Sequence, residues 1–271
     1  MKNEFPDFVE TSLIAAHPSW HSCLRQGVLA VSRAEPDYFS RLAERVFLPT
    51  GPRLFAAFSI PLSEVRYVLM GEGPYPREKS ATGVCFMDGA VDALWEPGVG
   101  LSKSVNKATS LRNFMKMLLV AEGVLDLDNT KAAALVPVAD NACLPGSTWI
   151  RTGAQLQHNL LHHGFLLLNA SLVFRSDVKP IQDAKSWRPF LTVVLQELLR
   201  QQETNMHDSG SDGADRRVEL ILWGKMAEKM KQLPEANQFK SYISEHPYNL
   251  SFIRNQVMLD LFRRWHLLRA R

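Results

Sequence analysis

Four short polar segments of this sequence carry side chains able to do chemistry: 71–76 (GEGPYP), 83–86 (GVCF), 168–171 (LNAS) and 246–251 (HPYNLS). Between them they supply a carboxylate (Glu72), two aromatic rings (Tyr75 and Phe86), an amide (Asn169), an imidazole (His246) and several tight turns. A pocket with that inventory suits a planar polar ligand, gripped by a ring and read along its edge by a few placed polar groups. Glu72 and His246 are the candidates for proton or charge work.

These segments need elements that bring distant residues to one place. Strand-like runs occupy 66–71 (RYVLMG), 165–169 (FLLLN), 218–223 (VELILW) and 241–245 (SYISE), with helical stretches between them. Strands alternating with helices imply crossover connections and a mainly parallel sheet. In such a sheet the carboxyl ends lie along one edge, where ligand crevices form. Residues 186–200 predict a helix with Ser186 as N-cap, since Trp187, Phe190, Leu191, Val194, Leu195 and Leu198 recur at helical spacing. Residues 110–122, capped by Ser110, 256–269 and 34–47 predict three more. The polar stretch 201–216 predicts a surface loop, and 124–149, with Pro137, Pro145 and Gly146, an irregular insertion. The simplest organisation is a helical extension over 1–60 packed on a single α/β/α domain over 61–271, built on a central four-stranded sheet.

Composition sets outer limits. The chain has 271 residues, 46% hydrophobic and 22% charged, with a net charge of +3. The charge is uneven: residues 251–271 hold Arg254, Arg263, Arg264, Arg269 and Arg271 against Asp260. That basic end fits a phosphate-facing surface, and equally a solvated helix end favoured by the helix dipole. No run approaches the ~18 apolar residues of a membrane span. The beginning, MKNEFPDFVE, has no apolar signal region, so a cytoplasmic protein is expected, nucleoid-associated in a bacterium. Cys23, Cys85 and Cys143 stand far apart, against a disulfide framework, a zinc site or an iron–sulfur cluster. No metal or other cofactor is expected.

In order and spacing the segments resemble the uracil-DNA glycosylase family. That family reads G-Q-D-P-Y-H at its first strand end, then G-L-x-F, a serine-bearing loop opening a helix, L-L-L-N-A, L-L-W-G and H-P-S-P-L-S. This chain reads GEGPYP, GVCF, Thr109-Ser110-Leu111, LLLNA at 166–170, ILWG at 221–224 and HPYNLS, covering roughly 60–268. The resemblance implies a DNA partner, single- or double-stranded, carrying uracil or another modified base that is flipped out, read and cleaved from its sugar. It implies that Phe86 stacks on the base, Asn169 pairs with its edge, and Tyr75 closes the C5 side. His246 would donate to the departing base oxygen. Ser110, Ser251 and nearby N–H groups would grip phosphates, with Arg254 beside them, and Leu250 would wedge into the vacated stack. On the residues alone Ser110 is also a good helix cap, Asn169 a turn cap, and Phe86 and Leu250 ordinary core.

The departures are specific. Gly73 stands where the family keeps its catalytic aspartate, on the sugar side of the base pocket. Glu72 replaces the glutamine beside it. Related glycosylases with G-E-A-P-G carry a glutamate in this turn, together with a four-cysteine cluster that three cysteines cannot build. Pro76 replaces histidine, as in poxvirus enzymes with G-I-D-P-Y-P, and Tyr248-Asn249 replace Ser-Pro. Two functions from different classes fit: a glycosylase of altered or weak activity in which Glu72 substitutes for the lost aspartate, and a non-catalytic binder of DNA or of an extruded base. An unrelated α/β nucleotide-binding enzyme is a distant third. The balance of residues leans to the enzyme.

Overall fold

A computed structural model describes residues 5–208 and 217–271. In chain order the elements are α1 (Asp7–Ala15), α2 (His21–Ala34), α3 (Tyr38–Ala43), β1 (Tyr67–Gly71), β2 (Trp95–Glu96), β3 (Gly100–Leu101), α4 (Lys103–Lys107) and α5 (Thr109–Ala121). They continue with α6 (Ala132–Cys143), α7 (Gly153–His162), β4 (Phe165–Asn169), α8 (Pro180–Ser186), α9 (Arg188–Asp208), β5 (Glu219–Trp223), α10 (Met226–Lys231), β6 (Lys240–Ser244) and α11 (Gln256–Phe262). The four longer strands form one sheet in the order β4-β1-β5-β6, and β2 pairs antiparallel with β3. The architecture is the expected three-layer α/β/α with a central parallel four-stranded sheet.

Residue type shows which strands are covered on both faces. β4 is buried along its whole length and β1 at its three central residues, as continuous apolar runs covered on both faces should be. β4 and β6 are the two edge strands; β6 is exposed or half-buried until Ser244, whereas β4 is buried although it lies at an edge. β1 and β4 run parallel in the register Tyr67↔Phe165 to Gly71↔Asn169, so GEGPYP and LNAS leave the sheet side by side.

The chain divides into two compact units. The first comprises Met1–Phe86, Gly164–Ile221 and Met226–Ser241, and the second Met87–His163, Leu222–Lys225 and Tyr242–Arg271. Residues 1–60 supply α1, α2 and α3 to the first. There α2 packs on α9 at Gly27, where any Cβ would come within 2.5 Å of the Phe190 ring. Phe190 in turn stacks on Phe55 and meets Trp187 edge-on. In the second unit Phe114 of α5 packs against Trp223 and Phe262.

Several local expectations are corrected. Ser186 does not cap the long helix: it ends α8 and its hydroxyl donates to Glu35 Oε1, while α9 begins at Arg188. The helix continues to Asp208, because Gln201, Gln202 and Glu203 are good helix formers that need no apolar face. Of the loop expected over 201–216, residues 209–216 lie outside the described residues. The 124–149 stretch holds α6, with Pro137 inside it. Burial of Leu135, Val138, Ala139 and Ala142 along one face outweighs the hydrogen bond that proline removes. The expected 34–47 helix is the end of α2 followed by the short α3. The helix expected over 256–269 stops at Phe262, followed by a 3-10 turn and a left-handed His266 (φ 46°). The segment beyond it runs beside 148–150, held by Asn159 Nδ2 donating to the carbonyls of Leu267 and Arg269, both at 2.8 Å. No helix among the described residues is long and apolar enough to cross a membrane.

Candidate functional site

In the first unit the site begins where β1 and β4 end. A Cβ on Gly71 would lie 2.6 Å from Asn169 Oδ1 and 2.5 Å from Cys85 Sγ, so glycine is what lets the amide lie over the strand end. Asn169 is only 3% exposed, and its side chain makes no hydrogen bond among the described residues. Its polar atoms are not among the enclosed, unsatisfied ones, so the amide edge stays open to solvent and to a polar ligand. Main-chain bonds hold the two polar segments together. Ala170 N–H donates to Gly71 O (2.8 Å) and Ser171 N–H to Glu72 O (3.1 Å). The Ser171 hydroxyl is spent on Val173 O at 2.7 Å.

The two rings follow. Tyr75, half-buried, donates its hydroxyl to Phe86 O at 3.3 Å. Phe86 is also half-buried, and its φ of +67° lies in the left-handed region, a conformation costing an aromatic residue about 1–3 kcal/mol. The surrounding turn enforces it. Gly83 (φ +81°) has no room for a Cβ, which would sit 2.1 Å from Arg53 O; Thr82 Oγ1 accepts from Val84 N–H; Cys85 N–H donates to Leu167 O at 3.0 Å. Burial pushes the Cys85 thiol up to about 12, so it packs rather than reacts.

The two departures from the family pattern lie on the open side of the turn. Gly73 is exposed, and a Cβ there would meet only Ser171 Cβ at 3.6 Å and Ser171 O at 3.7 Å. Glu72, its side chain 60% exposed, forms an ion pair with Lys229 of α10, Oε1 to Nζ 3.2 Å.

The second unit holds the rest. Tyr248 N–H donates to His246 Nδ1 at 3.1 Å, which in the neutral imidazole leaves the ring proton on Nε2. The HPYN turn is closed by Asn249 N–H to His246 O. It is backed by Gly224 (φ +57°), where a Cβ would approach His246 Cβ to 3.0 Å. From α5 the fully buried Asn113 reaches into it: Nδ2 lies 2.7 Å from Pro247 O, 3.3 Å from Tyr248 O and 3.4 Å from Asn249 O. Leu250 opens a 3-10 turn and is 69% exposed, so it is not core. Ser251 and Asn255 hydrogen-bond the Glu245 carboxyl; burial alone would raise that group, but these bonds and one from its own main chain bring it below its usual range. Arg254 pairs with Asp128 at 2.8 Å, both side chains exposed. Ser110 does not cap α5. The cap position falls on Ala108 with no side-chain cap, and Ser110, in the first turn, makes no side-chain hydrogen bond among the described residues.

Thus Glu72, Gly73, Tyr75, Phe86 and Asn169 belong to the first unit, and Ser110, His246, Leu250, Ser251 and Arg254 to the second. Sequence reasoning missed Asn113, Glu245 and Lys229. Asn113 left a signal, as a polar residue on the apolar face shared by Leu111, Phe114 and Met117. Glu245 and Lys229 left none, because charged residues beside a turn or on a short helix look like any solvated surface.

No protein-family model matches the chain. A uracil-DNA glycosylase of Phocaeicola vulgatus is 25% identical over 226 residues, spanning 80% of each chain. One of Xanthomonas oryzae pv. oryzae is 27% identical over 243 residues, 88% of this chain and 79% of that one. The crystal structure of mimivirus uracil-DNA glycosylase shares the fold, at 14% identity over 91% of this chain and 77% of that one and a TM-score of 0.52. The wild-type UNG structure from Nitratifractor salsuginis superposes with a TM-score of 0.84 and is 32% identical, covering 100% of both chains. With its motifs in the family's order on that fold, the chain belongs to the uracil-DNA glycosylase superfamily.

Proposed function

We propose that this protein binds DNA, accepts an extruded uracil-type base and hydrolyses its N-glycosidic bond slowly. The observation that carries this reading is Asn169: a nearly fully buried amide at a strand's carboxyl end with no side-chain hydrogen bond among the described residues. Its acceptor and two donors match the N3–H and O4 of a uracil edge. Phe86, held in a strained turn, supplies a ring for the base to stack on, and Tyr75 closes the side a thymine methyl would occupy. As the bond breaks, the base gathers negative charge. His246, with its proton on Nε2, donates toward the base oxygen, placing a fixed dipole where that charge develops. Ser110 and the uncapped N–H groups of α5 hold one phosphate, Ser251 and Arg254 others, and the exposed Leu250 fills the gap left by the flipped nucleotide.

The water that attacks the sugar lacks its aspartate at position 73. Glu72 is the adjacent carboxylate. Its ion pair with Lys229 is exposed on both sides, and such pairs are worth about 0–1 kcal/mol, so turning Glu72 toward the sugar is cheap beside a reaction barrier. The second reading, a binder that does no chemistry, is favoured by that same ion pair, which holds the carboxylate on the surface. A uracil-containing single-stranded oligonucleotide, incubated with the protein and treated with alkali, separates the two. Cleavage above a no-protein blank, depressed in Glu72→Gln and His246→Ala, supports the enzyme. Uracil-selective binding with no cleavage supports the binder.

A further inference from the structure

β4 has β1 as its strand partner and no strand on its other side, yet it is buried throughout. Part of its cover comes from residues 38–58. The 3-10 turn Ala56–Phe58 packs against it, and just beyond its end Leu48 and Phe174 exchange two main-chain bonds of 2.9 Å. The same stretch backs the other wall of the base pocket, where Arg53 O and Ala56 Cβ lie against Gly83 in the turn that strains Phe86.

The segment that leaves Asn169 is fastened a second time at Arg175. Its guanidinium grips Asp183 of α8 with two bonds, Nη2 to Oδ1 at 2.5 Å and Nε to Oδ2 at 3.2 Å. Tyr38 of α3 donates its hydroxyl to the same Oδ1 at 3.1 Å, and Arg175 Cζ lies 5.7 Å from the centre of its ring. Tyr38 and Asp183 are 2% and 1% exposed, and the Arg175 side chain 14%. Burial, and then the Asp183 charge, hold the Tyr38 hydroxyl far above its usual range, so it stays a donor. Trp187 closes the cluster, edge-on to the Tyr38 ring, its N–H donating to Asp183 O at 2.9 Å.

We propose that Arg175 is a positioning residue: through Asp183 and Tyr38 it fixes the segment carrying Asn169, Ala170 and Ser171, and so aims the amide that reads the base. The inference rests on the reading of Asn169 as the base-contacting amide. A buried ion pair adds little stability over apolar residues of the same volume, and its best-attested use is to select one arrangement. A bidentate guanidinium–carboxylate pair sets direction as well as distance. Here it acts on a strand end that has sheet bonds on one side only. With β4 holding one end of the segment and the cluster the other, Ser171 is kept against Glu72 and Gly73, its N–H on Glu72 O at 3.1 Å. Residues 38–58 are thus part of the frame of the pocket rather than an appendage to it.

The test replaces the cluster by apolar residues of similar volume, Tyr38→Phe, Arg175→Met and Asp183→Leu together, which orphans no buried partner and which folds tolerate. Leu24→Ala, in the buried face of α2, is the control for plain loss of stability. Two quantities are read: hydrogen exchange of the Ala170 and Ser171 amides by NMR, and anisotropy binding of matched uracil- and thymine-containing single-stranded oligonucleotides. The two amides should exchange at least about tenfold faster in the triple variant than in Leu24→Ala, and the preference for uracil should fall toward that of Asn169→Ala. Asp183→Asn, which keeps the shape of the site, should shift both in the same direction by less, and carries the test if the triple variant does not fold. Exchange no faster than in Leu24→Ala, or faster exchange with the uracil preference intact, overturns the proposal. Failure of the base-reading proposal looks different: the wild-type protein itself binds uracil and thymine strands alike, and the exchange contrast alone then decides whether Arg175 holds the segment.

Discussion

Restoring the missing carboxylate with Gly73→Asp probes the pocket. The site admits the change. A Cβ would meet Ser171 only at ordinary contact distances, 3.6 and 3.7 Å, the backbone is not left-handed, and the position is exposed. A surface substitution of that kind shifts stability by about 0.5 kcal/mol or less. Any large effect therefore comes from chemistry. A positioned base or its electrostatic equivalent contributes about 10²–10⁴-fold. At 1.36 kcal/mol per decade that is about 2.7–5.4 kcal/mol of barrier. Single-turnover release of uracil from a single-stranded oligonucleotide, with protein in excess, reads this directly because product release drops out. The expected result is a rate rise of at least about a hundredfold with unchanged Tm and oligonucleotide affinity. A rate within about threefold of wild type, at equal uracil-strand affinity, would refute the argument, since the sugar would then not lie beside position 73.

Further predictions bear on the same scaffold. Asn113→Ala leaves three turn carbonyls without their buried donor and should cost about 1–3 kcal/mol in urea unfolding. Asn113→Asp, which turns an oxygen toward those carbonyls, should cost more; equal or greater stability in either variant contradicts the clamp. Burial, then the Arg271 charge, hold the His163 imidazole down at about 4, against 6.5 in the unfolded chain. Above about 6.5 both states are neutral, but as pH falls toward about 4 the unfolded chain takes a proton that the folded chain refuses, so stability is lost there. His163→Asn should flatten that acid limb in urea midpoints measured across the window; a limb as steep as in wild type assigns the loss elsewhere. Burial holds the Cys23 and Cys85 thiols at about 12 while Cys143 is half-buried, so thiol titration of the folded protein near pH 8 should show one fast-reacting thiol rather than three.

The strands were legible because their signal is local. Runs such as FLLL and LILW are apolar without interruption, and the four strands of the main sheet fall within a residue of the expected bounds, whereas the two-residue β2 and β3 carried no such run and were not expected. Helix limits were less legible. Ser186 and Ser110 have the right chemistry for caps, but helix ends are decided by what packs against them, which placed Ser186 at the end of α8 and Ser110 inside α5. Pro137 reads locally as a breaker, yet α6 forms around it because four buried residues share its face. At the site, residue types and their order were readable. The burial of Asn169 over a glycine and the strained backbone of Phe86 were not, since both depend on residues such as Gly71, Arg53 and Leu167 that approach only in the fold. Nor could spacing foretell that Glu72 faces Lys229.

The measurement closest to the central claim is mass-spectrometric detection of free uracil released from a single-stranded uracil-containing oligonucleotide by the wild-type protein over a long incubation. Release above the no-protein blank is expected, reduced by Asn169→Ala and by His246→Ala and accelerated by Gly73→Asp. Wild-type release no greater than the blank would contradict it and leave a protein that holds the base without cutting it free.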